Sequence, residues 1–196
     1  MNRWVKIILI ITLFAYIGFW ANKKFISNLP HAVGKPIDTF NGVVVYYNGK
    51  ISHVSGRNLT ADNYNLGLRY QCVEFVKRYY YEFLKHKMPD PYGHAKDFYD
   101  KTVSDGQKNG KRGLFQYSNP SLTKPSIHDL VIFAGHVGNS FGHVAIISNV
   151  NEHEIEIVQQ NPGIYGNSRE RFPLIFQNGF WKINHERILG WLRKND

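Results

Sequence analysis

An α+β fold, with helices in the N-terminal half and an antiparallel sheet in the C-terminal half, is predicted by three stretches of this chain. Residues 70–84 carry one clear helical period. Residues 143–149 and 154–159 read as two apolar strands joined by a short turn. Residues 179–183 and 188–193 read as closing strands. Local strand pairs after a helical segment, without a helix between each pair, indicate a mixed domain and not a parallel wound sheet. The chain has 196 residues, enough for one domain with a core and a short appendage. Its 43% hydrophobic and 15% aromatic content is that of a folded protein.

Cys72, Phe75, Val76, Tyr79, Tyr80 and Phe83 recur at i, i+3, i+4, i+7, i+8 and i+11, the stripe of an amphipathic helix. Gly67 is a breaker upstream, and Lys85, His86, Lys87 and Pro89 are stop signals. Cys72 is then expected in the first turn, on the inward face. Unpaired N–H groups and the helix dipole at that end favour an anion, which lowers the barrier to a thiolate. A free cysteine is by default a small core residue, so the rest of the chain has to decide between the two readings.

Cys72 is the only cysteine, which excludes an intrachain disulfide and a thiolate-rich zinc site. Residues 7–21 are uncharged and almost wholly apolar. Arg3 and Lys6 precede them, and Lys23 and Lys24 follow. Residues 1–24 are therefore expected to be a signal sequence or a membrane anchor. Ala21 with Phe19 two residues before it is a poor cleavage context, which favours the retained anchor. As a helix the apolar run covers about 22 Å, short of the roughly 30 Å hydrocarbon core, with Trp4 and Trp20 as interface residues at its ends. The charges on its two flanks are too nearly balanced to orient it. In an oxidising compartment an unpaired cysteine without a task is a liability, and this raises the expectation that Cys72 is reactive.

The net charge is +9, and five basic residues with no acid fall in residues 1–36, leaving a mildly basic remainder. That balance suits an anionic envelope surface. No dense Lys/Arg stripe interleaved with aromatics is present, so nucleic-acid binding is not expected. Residues 25–36, with Pro30, Gly34 and Pro36, read as a linker, and 37–196 as the functional domain. Residues 43–47 read as a strand, 51–66 as a polar loop, 94–101 as a short helix and 104–126 as turn-rich. Residues 129–133 read as a buried strand and 135–142 as a glycine-punctuated loop.

The hairpin supplies geometry. A turn centred near Asn151 or Glu152 sets His143 opposite residues 159–161, and the side-chain period of two places an amide side chain on its face. An amide carbonyl there accepts the imidazole Nδ1–H, fixes the tautomer and aims the other nitrogen outward. A cysteine at a helix start, a histidine at a strand start and an orienting Asn or Gln on the next strand form the layout of a thiol hydrolase. Each part alone has a bland alternative, since the chain holds nine histidines and polar strand exits are common. Their joint occurrence in this order favours the chemical reading. Asp90, His94 and Asp97 read as solvated loop residues, so no metal or other cofactor is expected.

The segments Tyr70-Gln71-Cys72-Val73-Glu74-Phe75, Gly142-His143-Val144-Ala145-Ile146-Ile147 and Gln160-Asn161 resemble the signature segments of the CHAP domain, the cysteine, histidine-dependent amidohydrolase/peptidase family. The Cys segment is also similar to the amidase half of glutathionylspermidine synthetase/amidase. The resemblance covers about residues 37–196. It implies a papain-like fold and hydrolysis of amide bonds, most often in peptidoglycan, without a cofactor. It implies Cys72 as nucleophile and His143 as general base, and it aligns Asn161 with the asparagine that follows the family's acid. At Gln159 many family members carry a carboxylate; a glutamine orients the imidazole without neutralising an imidazolium, and Asn161 is a second orienting group. Gln71 is a candidate second oxyanion donor beside the Cys72 N–H. Three readings follow. The first is a membrane-anchored or exported amidase or endopeptidase of peptidoglycan. The second is an amidase of a small soluble amide such as a glutathione–polyamine conjugate. The third is a catalytically weak binding module of the same fold.

Overall fold

In the computed structural model, residues 2–27 and 29–195 are described; Met1, Asn28 and Asp196 lie outside the description, as do the side chains of residues 21–27. The N-terminal part of the expected anchor and of the linker is thus described except at Met1 and Asn28. The chain divides into two units, residues 1–32 and 33–196. The first holds one helix, α1 (Arg3–Ser27). Its stretch Arg3–Trp20 has a mean hydropathy of 1.6, so it is long and apolar enough to cross a membrane. It is longer than the uncharged run alone, because helix formation continues through the flanking charged residues.

The second unit is α+β, as expected. Its strands are β1 (Pro36–Phe40), β2 (Val43–Tyr46), β3 (Arg57–Leu59) and β4 (Asn65–Leu68), followed by α2 (Cys72–Glu82) and a 3-10 turn (Ala95–Phe98). Then come β5 (Gln107–Asn109), β6 (Leu114–Ser118), β7 (Leu130–Phe133), β8 (His143–Val150), β9 (Glu154–Val158), β10 (Arg169–Gln177), β11 (Phe180–Ile183) and β12 (Ile188–Arg193). Eight of them form one sheet in the order β11-β10-β9-β8-β7-β12-β6-β5, with every pair antiparallel. β1–β2 and β3–β4 are separate two-stranded pairs.

The side-chain period of two divides the sheet's residues between two cores. Val144, Ile146 and Val158 look toward α2 and join Phe75, Val76, Tyr79 and Tyr80. Ala145, Ile147, Ile155 and Ile157 look the other way and join Phe133, Phe172, Leu174 and Trp191. The helical stripe is buried from Cys72 to Tyr80, but Phe83 is 41% exposed, because α2 ends at Glu82 and Phe83 caps it. Residues 51–66 and 104–126 are not simply loops. They hold β3 and the first half of β4, and β5 and β6, which are three to five residues long and set by pairing partners rather than by apolar period. Within the short helix expected at residues 94–101, Ala95–Phe98 form a 3-10 turn. Asp97 Oδ2 accepts the His94 backbone N–H at 2.8 Å and caps it, which is the structural use of that acid.

Candidate active site

Cys72 opens α2, and Gln71 is the N-cap in extended conformation. Gly67 allows this placement. Its φ is +130°, and a Cβ there would stand 3.1 Å from the Glu74 backbone N, so β4 passes directly under the first turn of the helix. The turn is tied down by Glu74, which is buried. Its Oε1 accepts from Arg78 Nε and Asn58 Nδ2, both at 2.7 Å, and its Oε2 accepts from Gln160 Nε2 at 2.9 Å. One carboxylate therefore joins α2, β3 and the segment after β9.

The Cys72 sulfur is 8% exposed by residue and faces three backbone N–H groups, those of Val144, Val73 and Cys72 itself. These favour the thiolate, but burial outweighs them and pushes the thiol up to about 11. The Val144 N–H brings the sulfur to the first residues of β8, beside His143. Cys72 and His143 line one cleft of about 1030 Å³. Among the described residues no hydrogen bond joins them.

His143 begins β8 after Gly142, whose φ is +76°. A Cβ at Gly142 would stand 2.5 Å from the Phe133 carbonyl oxygen, so the tight approach that aims His143 requires glycine. The imidazole Nε2 lies 2.8 Å from Gln159 Oε1. His143 is half-buried as a residue, yet burial of its ring dominates and lowers its pKa to about 4; the Gln159 bond opposes this and the Arg187 charge adds to it. A neutral imidazole and a protonated thiol are therefore the resting forms.

Two expectations about this constellation need correcting. The amide holds Nε2, not Nδ1. The register explains which residue reaches the ring: Ile146 pairs Val158 and Ile147 pairs Ile157, so His143 is opposite residue 161, and Gln159 is its diagonal neighbour on the same face. From there Gln159 reaches Nε2, and among the described residues no hydrogen bond to Nδ1 is made. The second correction concerns Asn161. It makes no hydrogen bond to His143. With φ at +60° it turns the chain out of the strand, and its Nδ2 donates to Gln71 Oε1 at 2.7 Å and to the Ile51 carbonyl at 3.0 Å. Gln71 is correspondingly occupied: its Nε2 donates to the carbonyls of His53 at 2.7 Å and Ile51 at 3.0 Å, which removes it as an oxyanion donor in this state. Asn161 and Gln71 together hold the 51–53 loop as one wall of the cleft.

The cleft's remaining lining was not foreseen. Tyr92, Phe141 and Tyr165 stand on its rim, 64%, 56% and 77% exposed. Lys50 and Arg57 line it, and among the described lining residues there is no Asp or Glu. Lys77 is buried behind this wall, donating to the carbonyls of Asn65 and Pro91, and burial with the Arg112 and Arg57 charges lowers its pKa to about 7. Asn65 and Pro91 themselves line the cleft. No signal short of the tertiary contacts brings residues 50, 57, 92, 141 and 165 together.

The model of the CHAP domain matches residues 62–161, a span that includes Cys72, His143, Gln159 and Asn161, and the chain belongs to that family. The family is one of amidases and peptidases. Trypanothione synthetase of Crithidia fasciculata is 28% identical over 162 residues, which are 77% of this chain and 25% of that protein. The chain thus spans about a quarter of the length of this curated relative. The crystal structure of Ly7917 is similar at 19% identity over 38% of this chain and 30% of that one, with a TM-score of 0.27.

Proposed function

We propose that residues 37–196 form a papain-like, thiol-dependent amidohydrolase that cuts amide bonds of peptidoglycan, held at a membrane by α1 with the domain outside the cytoplasm. The reading is carried by the cleft that holds both the Cys72 thiol, at a helix start and against the Val144 N–H, and the His143 imidazole clamped by Gln159. Substrate binding brings the thiol and Nδ1 into contact, as such bonds tighten in the productive complex. Nδ1 takes the thiol proton as sulfur attacks the amide carbonyl. The Cys72 N–H at the helix start stabilises the oxyanion. The imidazolium then gives its proton to the leaving amine, and water, deprotonated by His143, releases the acid from the thioester.

The lining supports a wall substrate. Lys50 and Arg57 without a carboxylate suit an acidic stem peptide, and the exposed rings of Tyr92, Phe141 and Tyr165 suit the faces of sugars. A polyamine leaving group would bring cations to a cleft with no acid to meet them. The second reading, an amidase of a glutathione–polyamine conjugate, is favoured by the similarity to trypanothione synthetase.

Purified sacculi incubated with the detergent-solubilised chain are expected to release peptides with new amine and carboxyl ends, detected by mass analysis, and Cys72→Ala is expected to release none. Equal release by both proteins would remove the thiol mechanism. Release from the conjugate alone would transfer the assignment to the second reading.

A further inference from the structure

The carboxylate missing from position 159 has a counterpart on the next strand. Gln159 lies just past β9, and its backbone N–H bonds the Ser168 carbonyl at 2.9 Å, which continues the β9–β10 pairing by one step. Glu170 is then its diagonal neighbour on the same face, within reach of a long side chain. The contact is made: Gln159 Nε2 donates to Glu170 Oε2 at 3.2 Å and to the Asn167 carbonyl at 3.0 Å. Both amide hydrogens thus have acceptors. An amide nitrogen cannot turn toward His143 without abandoning both, so the oxygen must face the ring. An amide oxygen only accepts, so the nitrogen it meets, Nε2, must carry the ring proton, and Nδ1 is left as the lone-pair base.

We propose that Glu170 is a positioning residue for His143, acting through Gln159: it pins the amide, fixes the imidazole as the Nε2–H tautomer and supplies, one residue removed, the negative charge that stabilises the imidazolium. This rests on the reading of His143 as the base. It also gives Gln159 a reason. A carboxylate at 159 would stand against Glu170, and two carboxylates at that separation repel.

The test interchanges the two residues. Imidazole ¹⁵N shifts of the full chain at neutral pH report the His143 tautomer without any substrate. The native chain is expected to show the Nε2–H form. Glu170→Leu is expected to let a second tautomer appear and to lower kcat about tenfold with KM little changed. Gln159→Glu alone is expected to be impaired, and Gln159→Glu combined with Glu170→Gln to recover most of kcat and a single tautomer, a non-additivity that neighbours in one network produce. An unchanged tautomer and rate in Glu170→Leu, or an interchange no better than the summed single changes, overturns the proposal. If the native chain cleaves neither wall nor conjugate while the ¹⁵N signature responds as described, the hydrolase reading falls and the positioning role of Glu170 stands. If cleavage proceeds while the signature ignores Glu170, the reverse holds.

Discussion

The thiol of Cys72 and the imidazole of His143 are driven apart in proton affinity by the same cause. Burial raises the first to about 11 and lowers the second to about 4, so a neutral pair occupies the range between. The kcat/KM of such a pair is expected to be flat across neutral pH, with an acid limb set by His143 well below the 6.5 of an ordinary histidine. An acid limb near 6.5 would show that the ring is hydrated in the free protein. Stability follows the same sign. The depressed His143 pKa means that the unfolded chain takes up a proton first as pH falls, so its contribution is complete above 6.5 and is lost between 6.5 and about 4. The thermal midpoint of His143→Gln is expected to fall less over that window than the native midpoint does. At this scale the helical period placed Cys72 at the start of α2, and the hairpin turn with the side-chain period of two placed an amide from residues 159–161 near His143 without choosing which. Which imidazole nitrogen Gln159 holds was not legible, because opposite and diagonal neighbours differ by two residues and the turn fixes the register only to about one. Glu170 was not, because its strand pairs across an irregular loop that carries no periodic signal. Asn161 has Gln71 as its partner instead of the imidazole, because its left-handed backbone turns it out of the strand.

Between residue and molecule, the elements that set the site are held by two close approaches of backbone. At Gly142 the chain passes under the Phe133 carbonyl before presenting His143. Gly142→Ala adds a Cβ 2.5 Å from that oxygen, on a residue whose φ of +76° L side chains rarely adopt. The start of β8 has to move, and a displacement on the order of 1 Å at a catalytic group costs about a hundredfold in rate. The expected result is a folded variant with kcat lowered to that degree, and unchanged kcat would separate the glycine from the aim of His143. The Glu74 hub tests a different property. Its carboxylate is buried with Arg78 and two amides, so Glu74→Ala leaves Arg78 buried without its partner and is expected to cost about 3–5 kcal/mol in chemical denaturation. Glu74→Gln keeps the size and part of the bonding and should cost less. The helix and the long apolar strands were legible because their periods arise within the segment. β3 to β6 were not, since Arg57–Leu59 or Gln107–Asn109 has no face of its own to bury and takes its conformation from a neighbour.

The order of strands makes the whole unit depend on its last element. β12 lies between β7 and β6, so the interior of the sheet is filled by the strand that comes latest in sequence. Arg193 in that strand bonds Asp129 through Nε at 2.8 Å and Nη2 at 2.7 Å, and Asp129 is buried. Trp191 and Leu192, both fully buried, contribute to opposite cores. The segment matched by the family model ends at residue 161, before β10, β11 and β12, and the sheet as folded requires residues beyond it. Removing residues 188–196 would leave β7 and β6 as facing open edges, take away both buried side chains and strand Asp129 in the interior without a cation. The expected product is an aggregating chain without a cooperative unfolding transition, and adding back a peptide of residues 188–196 at high concentration should restore part of the transition. A truncated chain that melts cooperatively, with Cys72 as protected from alkylation as in the native protein, would mean that the two halves of the sheet close on each other without β12. That outcome would detach the site from the C-terminal strand and confine its scaffold to α2, β7, β8 and β9.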